Sequence, residues 1–203
     1  KIGFITLILG FWISGPIINK VQWTTQLDNQ LSVALLQTNI PQEEKWKPTQ
    51  RAKTLKLLEQ MTSEVWEKDI IVWPETAVPL LYDRALPFLK VMGEKAKQNN
   101  TNIISGIPFR QIDSSTRAQT LHNSVVSIGR GDGLYHKQKL VPFGEYVPLQ
   151  DLLRGLIAFF DLPMSDFRTG SSEQAPLSSS GYQVSPFICY EVVYPDFVRK
   201  NIK

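Results

Sequence analysis

The chain has little of what builds disulfide frameworks, metal centres or nucleic-acid surfaces. Its 203 residues hold one cysteine and two histidines. No internal disulfide can form, and no Cys-x-x-Cys or His-Glu-x-x-His spacing exists to hold zinc, so no metal or cofactor is expected. The lone thiol, Cys189, is left with three fates: an intermolecular bridge, an inert buried side chain, or a nucleophile. Charge is nearly balanced, with 22 Lys and Arg against 19 Asp and Glu. The only basic cluster is His136, Lys137 and Lys139, so no nucleic-acid partner is expected. Gly129, Gly131 and Gly133 form a spaced turn with no helix-forming segment behind them, which excludes a phosphate-cradling loop of the dinucleotide or P-loop type. Internal repeats and low-complexity tracts are absent.

What is present begins with an uncharged apolar run from Ile2 to Ile18. At this length it lies at the lower edge of what spans a bilayer, where roughly 20 residues are usual. Three readings stand: the end of a transmembrane helix whose start lies outside the sequence, a cleaved signal peptide, and a buried core helix. The first is favoured, because one lysine is a short charged leader and no small-x-small cleavage site follows the run. Residues 1–20 are therefore expected to be a transmembrane helix fragment, 21–30 a polar connector, and 31–203 a folded domain. The mean hydropathy of −0.14 places most of the chain in the globular class.

Within the domain, Leu31–Thr38 reads as a strand buried on both faces. A helix follows over about 49–66, with Thr49 as its cap and Leu55, Leu58, Met61 and Val65 on one face. Ile70–Trp73 is a short buried strand that breaks at Pro74-Glu75. A second helix over 86–98 carries Leu89, Met92 and Ala96 and ends at Asn99-Asn100. Strands over 103–109, 123–128 and 134–137 come next, then a long segment after Glu145, and a last strand from Tyr182 to Ile188 that delivers Cys189. Strand and helix alternation followed by hairpins is an α/β layered pattern. The long segment is strongly apolar in its first half, and Leu156, Phe159 and Phe160 can share one helical face. That face is either a lid that dips into a membrane interface or an ordinary core helix.

Glu75, Lys137 and Cys189 each follow a strand at the point where it breaks into a turn. A carboxylate, an ammonium and a thiol supply a base, an oxyanion stabiliser and a nucleophile. His136 is the alternative partner for the thiol, but on a strand it points away from the face that carries Lys137. The backbone N–H of Tyr190 could complete an oxyanion hole.

The blocks Trp73-Pro74-Glu75-Thr76, Leu140-Val141-Pro142-Phe143-Gly144-Glu145 after Lys137, and Cys189-Tyr190-Glu191 resemble the signatures of the nitrilase superfamily, and within it those of the bacterial apolipoprotein N-acyltransferases. Asn39-Ile40-Pro41-Gln42 through Lys45-Trp46, and Asn123-Ser124, extend the likeness. The resemblance implies a nitrilase-like α-β-β-α sandwich, incomplete here at its C-terminal side. It assigns Glu75 as general base, Lys137 as transition-state stabiliser and Cys189 as nucleophile, with Trp46, Glu145, Tyr190 and Glu191 in supporting positions. The reaction it implies moves a fatty acyl chain from a phospholipid donor, through a Cys189 thioester, to the N-terminal amine of a diacylated apolipoprotein. The site would lie on the periplasmic side of the cytoplasmic membrane. A nitrilase-type amidase acting on a small C–N bond, and a non-catalytic membrane-tethered domain with a buried Cys189, are the competing readings.

Overall fold

The structure is a computed structural model that describes residues 2–22, 30–142, 144–146 and 167–202. Two units are distinguished, residues 1–30 and 31–203. The first contains α1 (Ile2–Ile18), which coincides with the apolar run and includes Pro16. Seventeen residues rise only about 25 Å, less than the roughly 30 Å of a bilayer core. Among the described residues, no helix is long and apolar enough to cross a membrane.

The second unit runs β1 (Val33–Leu35), α2 (Gln42–Lys45), α3 (Pro48–Ser63), β2 (Ile70–Val72), α4 (Tyr82–Gln98), β3 (Asn102–Ile112), β4 (Gln119–Gly129), β5 (Leu134–His136), β6 (Leu177–Ser179) and β7 (Tyr182–Val184). A 3-10 turn (Cys189–Val193) and α5 (Pro195–Asn201) follow. Strands β1 to β5 form one mixed sheet in chain order. The pairs β1–β2 and β2–β3 are parallel, and β3–β4 and β4–β5 are antiparallel. This is the expected strand–helix alternation followed by hairpins.

The pleat sorts the apolar side chains onto two faces. Ile71, Ile103 and Val126 pack with Leu58 of α3 and with Ala85, Leu89, Met92 and Ala96 of α4. On the other face Ile104 and Val125 meet Tyr135, Leu177 and Ile188. Lys47 caps α3, with Pro48 at the first helical position; a proline there loses no hydrogen bond, which moves the start ahead of Thr49. Thr62 takes an inward position on α3 by donating to the Leu58 carbonyl (2.6 Å) and accepting from Trp73 Nε1 (3.0 Å). Helix α4 begins at Tyr82 rather than Leu86 and carries Pro87 inside it.

Two expectations are corrected. The first strand is not buried on both faces: β1 is short, pairs only with β2 among the described strands, and leaves Val33 and Leu35 exposed. An apolar run distinguishes a central strand from an edge only once its neighbours are known. The last strand ends at Val184, because Pro186 has no N–H to give a ladder. Cys189 therefore starts a 3-10 turn instead of ending a strand.

The β6–β7 hairpin is tied to the main sheet by polar contacts. Asn102 Nδ2 donates to Ser127 Oγ and to Ser179 Oγ, both at 2.8 Å, and Ser127 Oγ donates to the Ser178 carbonyl at 2.6 Å. A Cβ at Gly131 would stand 2.1 Å from the Ser178 oxygen, so only glycine allows this approach.

Candidate active site

The Glu75 turn is built by close backbone packing. Trp73 N donates to the Ile104 carbonyl at 2.8 Å, the chain then leaves β2, and Thr76 takes a positive φ of 46°. A Cβ on Gly106 of β3 would lie 2.5 Å from Thr76 N and 2.7 Å from Glu75 Cα. Glycine at 106 is what lets the turn settle onto the sheet. Lys45, at the end of α2, reaches across to clamp the turn: its Nζ donates to the Glu75 carbonyl (3.0 Å) and to Thr76 Oγ1 (2.6 Å). Burial holds the Lys45 ammonium below its ordinary pKa, and the nearby Glu75 charge opposes that shift.

Lys137 follows β5, fixed by its N–H on the Asn123 carbonyl at 2.8 Å and by its own carbonyl accepting from Gly170 N at 2.8 Å. Its side chain is 1% exposed, and its Nζ lies 2.8 Å from Glu145 Oε2 and 3.9 Å from Glu75 Oε1. Asn123 Nδ2 joins the two carboxylates, donating to Glu75 Oε1 at 2.6 Å and to Glu145 Oε1 at 2.8 Å. Glu145 also accepts from Val141 N at 2.9 Å. A buried ammonium is stable only when paired in this way. Glu75 keeps 39% of its side chain exposed, so one side of the cluster faces open space.

Cys189 is exposed. It sits at φ +52°, in the left-handed region that a non-glycine residue occupies only when its surroundings impose it. Glu191, fully buried, braces the turn beside it: its carboxylate accepts from Ile188 N (2.8 Å), Gln138 N (2.7 Å), Lys139 N (3.0 Å) and the Tyr135 hydroxyl (3.0 and 3.1 Å). One carboxylate thus ties the cysteine turn to the chain that follows Lys137. Burial, then the Glu191 charge, pushes the Tyr135 phenol above its ordinary pKa.

Glu75 and Cys189 line one cavity of about 390 Å³, together with Trp73, Ser124, Val125 and Phe187. Tyr190 is largely exposed, and its N–H falls in the first turn of the 3-10 helix, where N–H groups lack intrahelical partners. Trp46 is not among the residues lining this cavity; it caps α2, with Lys45 Nζ 5.9 Å from its ring. Leu156, Phe159 and Phe160, the lid candidates, lie outside the described residues.

His136 faces away from Lys137, as strand alternation requires. Its Nδ1 lies 2.7 Å from Ser124 Oγ, its ring 4.6 Å from His122 and 4.9 Å from Phe109. Burial, and then the neighbouring His122, depress it to about 4. Two residues of the site were not singled out from sequence. Asn123 and Lys45 appeared there only inside quoted motifs, and nothing short of their spatial partners distinguishes them from other polar residues.

Residues 32–203 match the model of the carbon-nitrogen hydrolase family. The chain is 49% identical over 195 residues to the apolipoprotein N-acyltransferase of Pseudomonas paraeruginosa, covering 95% of this chain and 38% of that protein. It is 39% identical over 194 residues to the protein of the same name from Photobacterium profundum, covering 91% of this chain and 37% of that one. The carbon-nitrogen hydrolase from Helicobacter pylori is similar in fold, with a TM-score of 0.54 at 17% identity, over 84% of this chain and 55% of that one. The chain thus spans little more than a third of the length of these curated relatives. A mixed sheet that sets a lysine between two carboxylates and a cysteine on a strained turn beside them agrees with the match over 32–203: the chain belongs to the carbon-nitrogen hydrolase family.

Proposed function

We propose that the protein of which this chain forms part is an N-acyltransferase that carries a fatty acyl group on Cys189. Glu75 takes the thiol proton, and the thiolate attacks the ester carbonyl of a phospholipid. Negative charge grows on the carbonyl oxygen, where the Lys137 ammonium and the Tyr190 N–H stabilise it. Collapse of the adduct breaks the ester C–O bond. The lysophospholipid leaves as an alcohol, with the proton returned from Glu75. The thioester is then attacked by the N-terminal amine of a diacylated apolipoprotein; Glu75 accepts the amine proton and returns one to the departing thiol. Glu145 and Asn123 hold Lys137 and Glu75 at their distances, Glu191 holds the cysteine turn, and Trp46 stands beside the lysine that clamps the Glu75 turn.

The observation that carries this reading is the shared cavity, in which an exposed thiol and a half-open carboxylate lie together, next to a buried ammonium. The relatives' name supports acyl transfer over hydrolysis of a small amide. Exposure of Cys189 counts against an inert buried thiol. Membrane anchoring at the bacterial cytoplasmic membrane, with the domain on the periplasmic side, belongs to the same proposal. So do the α-β-β-α sandwich in its entirety, the transmembrane role of residues 1–20, and the lid formed by Leu156, Phe159 and Phe160. The uncharged, largely apolar surface of α1, where Phe4, Leu7, Phe11 and Trp12 are all exposed, supports the anchor.

Intact-protein mass spectrometry of the full-length protein, after incubation with phospholipid vesicles, tests the proposal. The expected result is a gain of one fatty acyl group, labile to hydroxylamine and absent in Cys189→Ala. Normal turnover in Cys189→Ala overturns it.

A further inference from the structure

We propose that the two histidines of the chain form a clip on the far face of the sheet, with His136 acting through it as a positioning residue for Lys137. The inference rests on the acyl-transfer reading above. Each histidine directly precedes a member of the charge cluster. His122 comes before Asn123, whose amide bridges Glu75 and Glu145, and His136 comes before Lys137, whose ammonium pairs with Glu145. Successive side chains of a strand point to opposite faces. Asn123 and Lys137 therefore enter the site, while the two imidazole rings meet behind it with centroids 4.6 Å apart.

Strand β5 has reason to need such a clip. It is three residues long and pairs with β4 from Leu134 to His136, after which the Lys137 N–H on the Asn123 carbonyl (2.8 Å) continues the ladder. The ammonium and the bridging amide thus stand at the end of a short pairing, where ladders open most easily. His122 is the fixed half of the clip. It is buried, its Nδ1 donates to the Arg168 carbonyl at 3.0 Å, and its Nε2 is left to accept from the Thr120 hydroxyl at 3.3 Å. His136 stacks on that ring, lies 4.9 Å from Phe109, and has its Nδ1 2.7 Å from Ser124 Oγ. Rings from β3, β4 and β5 make one row behind the site. A shift of β5 against β4 would break this row and carry Lys137 away from its 2.8 Å contact with Glu145; small displacements of a catalytic group are costly in rate. The His136 backbone is bracketed separately by Gln174, whose Oε1 accepts from His136 N and whose Nε2 donates to the His136 carbonyl, both at 2.8 Å. A side-chain change at 136 therefore leaves β5 anchored.

The test uses the full-length protein in neutral detergent micelles that carry phosphatidylethanolamine. Acyl adduct formation on Cys189 is followed by rapid-quench mass spectrometry as the donor concentration is varied. In His136→Ala the maximal rate is expected to fall about fivefold, the scale of one lost aromatic contact, with the donor concentration for half-maximal rate unchanged. His136→Phe keeps a ring on His122 and should return most of that rate; the Ser124 hydroxyl then has the His122 carbonyl, 3.3 Å away, as its acceptor. Hydrogen–deuterium exchange at the Lys137 amide, measured in parallel, should quicken in His136→Ala and slow again in His136→Phe. A maximal rate that His136→Ala leaves unchanged overturns the proposal, as does a His136→Phe protein as slow as His136→Ala. A change confined to the half-saturating donor concentration also overturns it, since that would place His136 in donor binding. Failure of the acyl-transfer reading looks different: the unsubstituted protein forms no adduct. The clip is then decided by exchange at Lys137, and exchange that His136→Ala leaves unaltered overturns it.

Discussion

Two carboxylate sites meet the same short segment, Tyr135 to Lys139, and differ in what surrounds the charge. Glu191 is fully buried, and its acceptors are filled by three backbone N–H groups and a phenol. Backbone donors do not move, so this carboxylate acts as a fixed strut. Glu75 shares an amide with Glu145, faces an ammonium at 3.9 Å, and keeps part of its side chain open. It has unfilled acceptor capacity and a route for a proton. The lesson is that saturation by fixed donors makes Glu191 a strut, whereas partial exposure in the shared cavity is what leaves Glu75 open to the proposed role of base.

The largest expected effect tests the open site. Glu75→Gln should slow acylation of Cys189 by about 10²- to 10⁴-fold, the usual contribution of a positioned base, while changing unfolding free energy by less than about 1 kcal/mol. Rapid-quench mass spectrometry and urea denaturation measure the two, and unaltered acylation would remove Glu75 as the base. Glu191→Gln should show the reverse balance. It places an amide NH₂ among backbone donors, and the stability loss is about 2–3 kcal/mol, the scale of hydrogen bonds to a charged group. A stable Glu191→Gln protein would break the comparison.

Lys45→Met comes next in size. Freeing the Glu75 carbonyl and Thr76 hydroxyl loosens the turn, and acylation should fall about tenfold, equivalent to roughly 1.4 kcal/mol. An unchanged rate would show that Gly106 and the sheet position the turn alone.

The smallest effect concerns the His122–His136 pair, which borders Ser124. His136 has its folded pKa lowered from 6.5 to about 4. Below 6.5 the unfolded chain binds a proton that the folded chain refuses, so stability should decline as pH falls from 6.5 toward 4 and stay level above that window. Thermal denaturation across this range should show a shallower decline in His136→Gln, and an identical decline would place the acid sensitivity elsewhere.

Much of the candidate site was readable because Glu75 and Lys137 sit just past the ends of β2 and β5 and Cys189 opens the 3-10 turn beyond β7. Glu75 after Trp73-Pro74, Lys137 after β5 and Cys189 ahead of Glu191 are points at which apolar periodicity stops, and a polar residue there has a reason to face a cavity. His136 was placed on the far face by alternation alone. Asn123 was different: inside an 11-residue strand it reads as one more polar residue of a hairpin, and only the approach of two glutamates reveals it as their bridge. Lys45 was hidden for the same reason, since its partners lie 30 and 31 residues away.

The sequence by itself determined the α/β alternation, the apolar first helix and the residue types of the site, because periodicity and chain breaks are local properties. Tertiary structure decided which strand became an edge, which glutamate was saturated and which remained open, and how the cysteine came to sit on a strained turn. Those outcomes depend on distant groups competing for the same donors and the same space, and no local pattern encodes that competition.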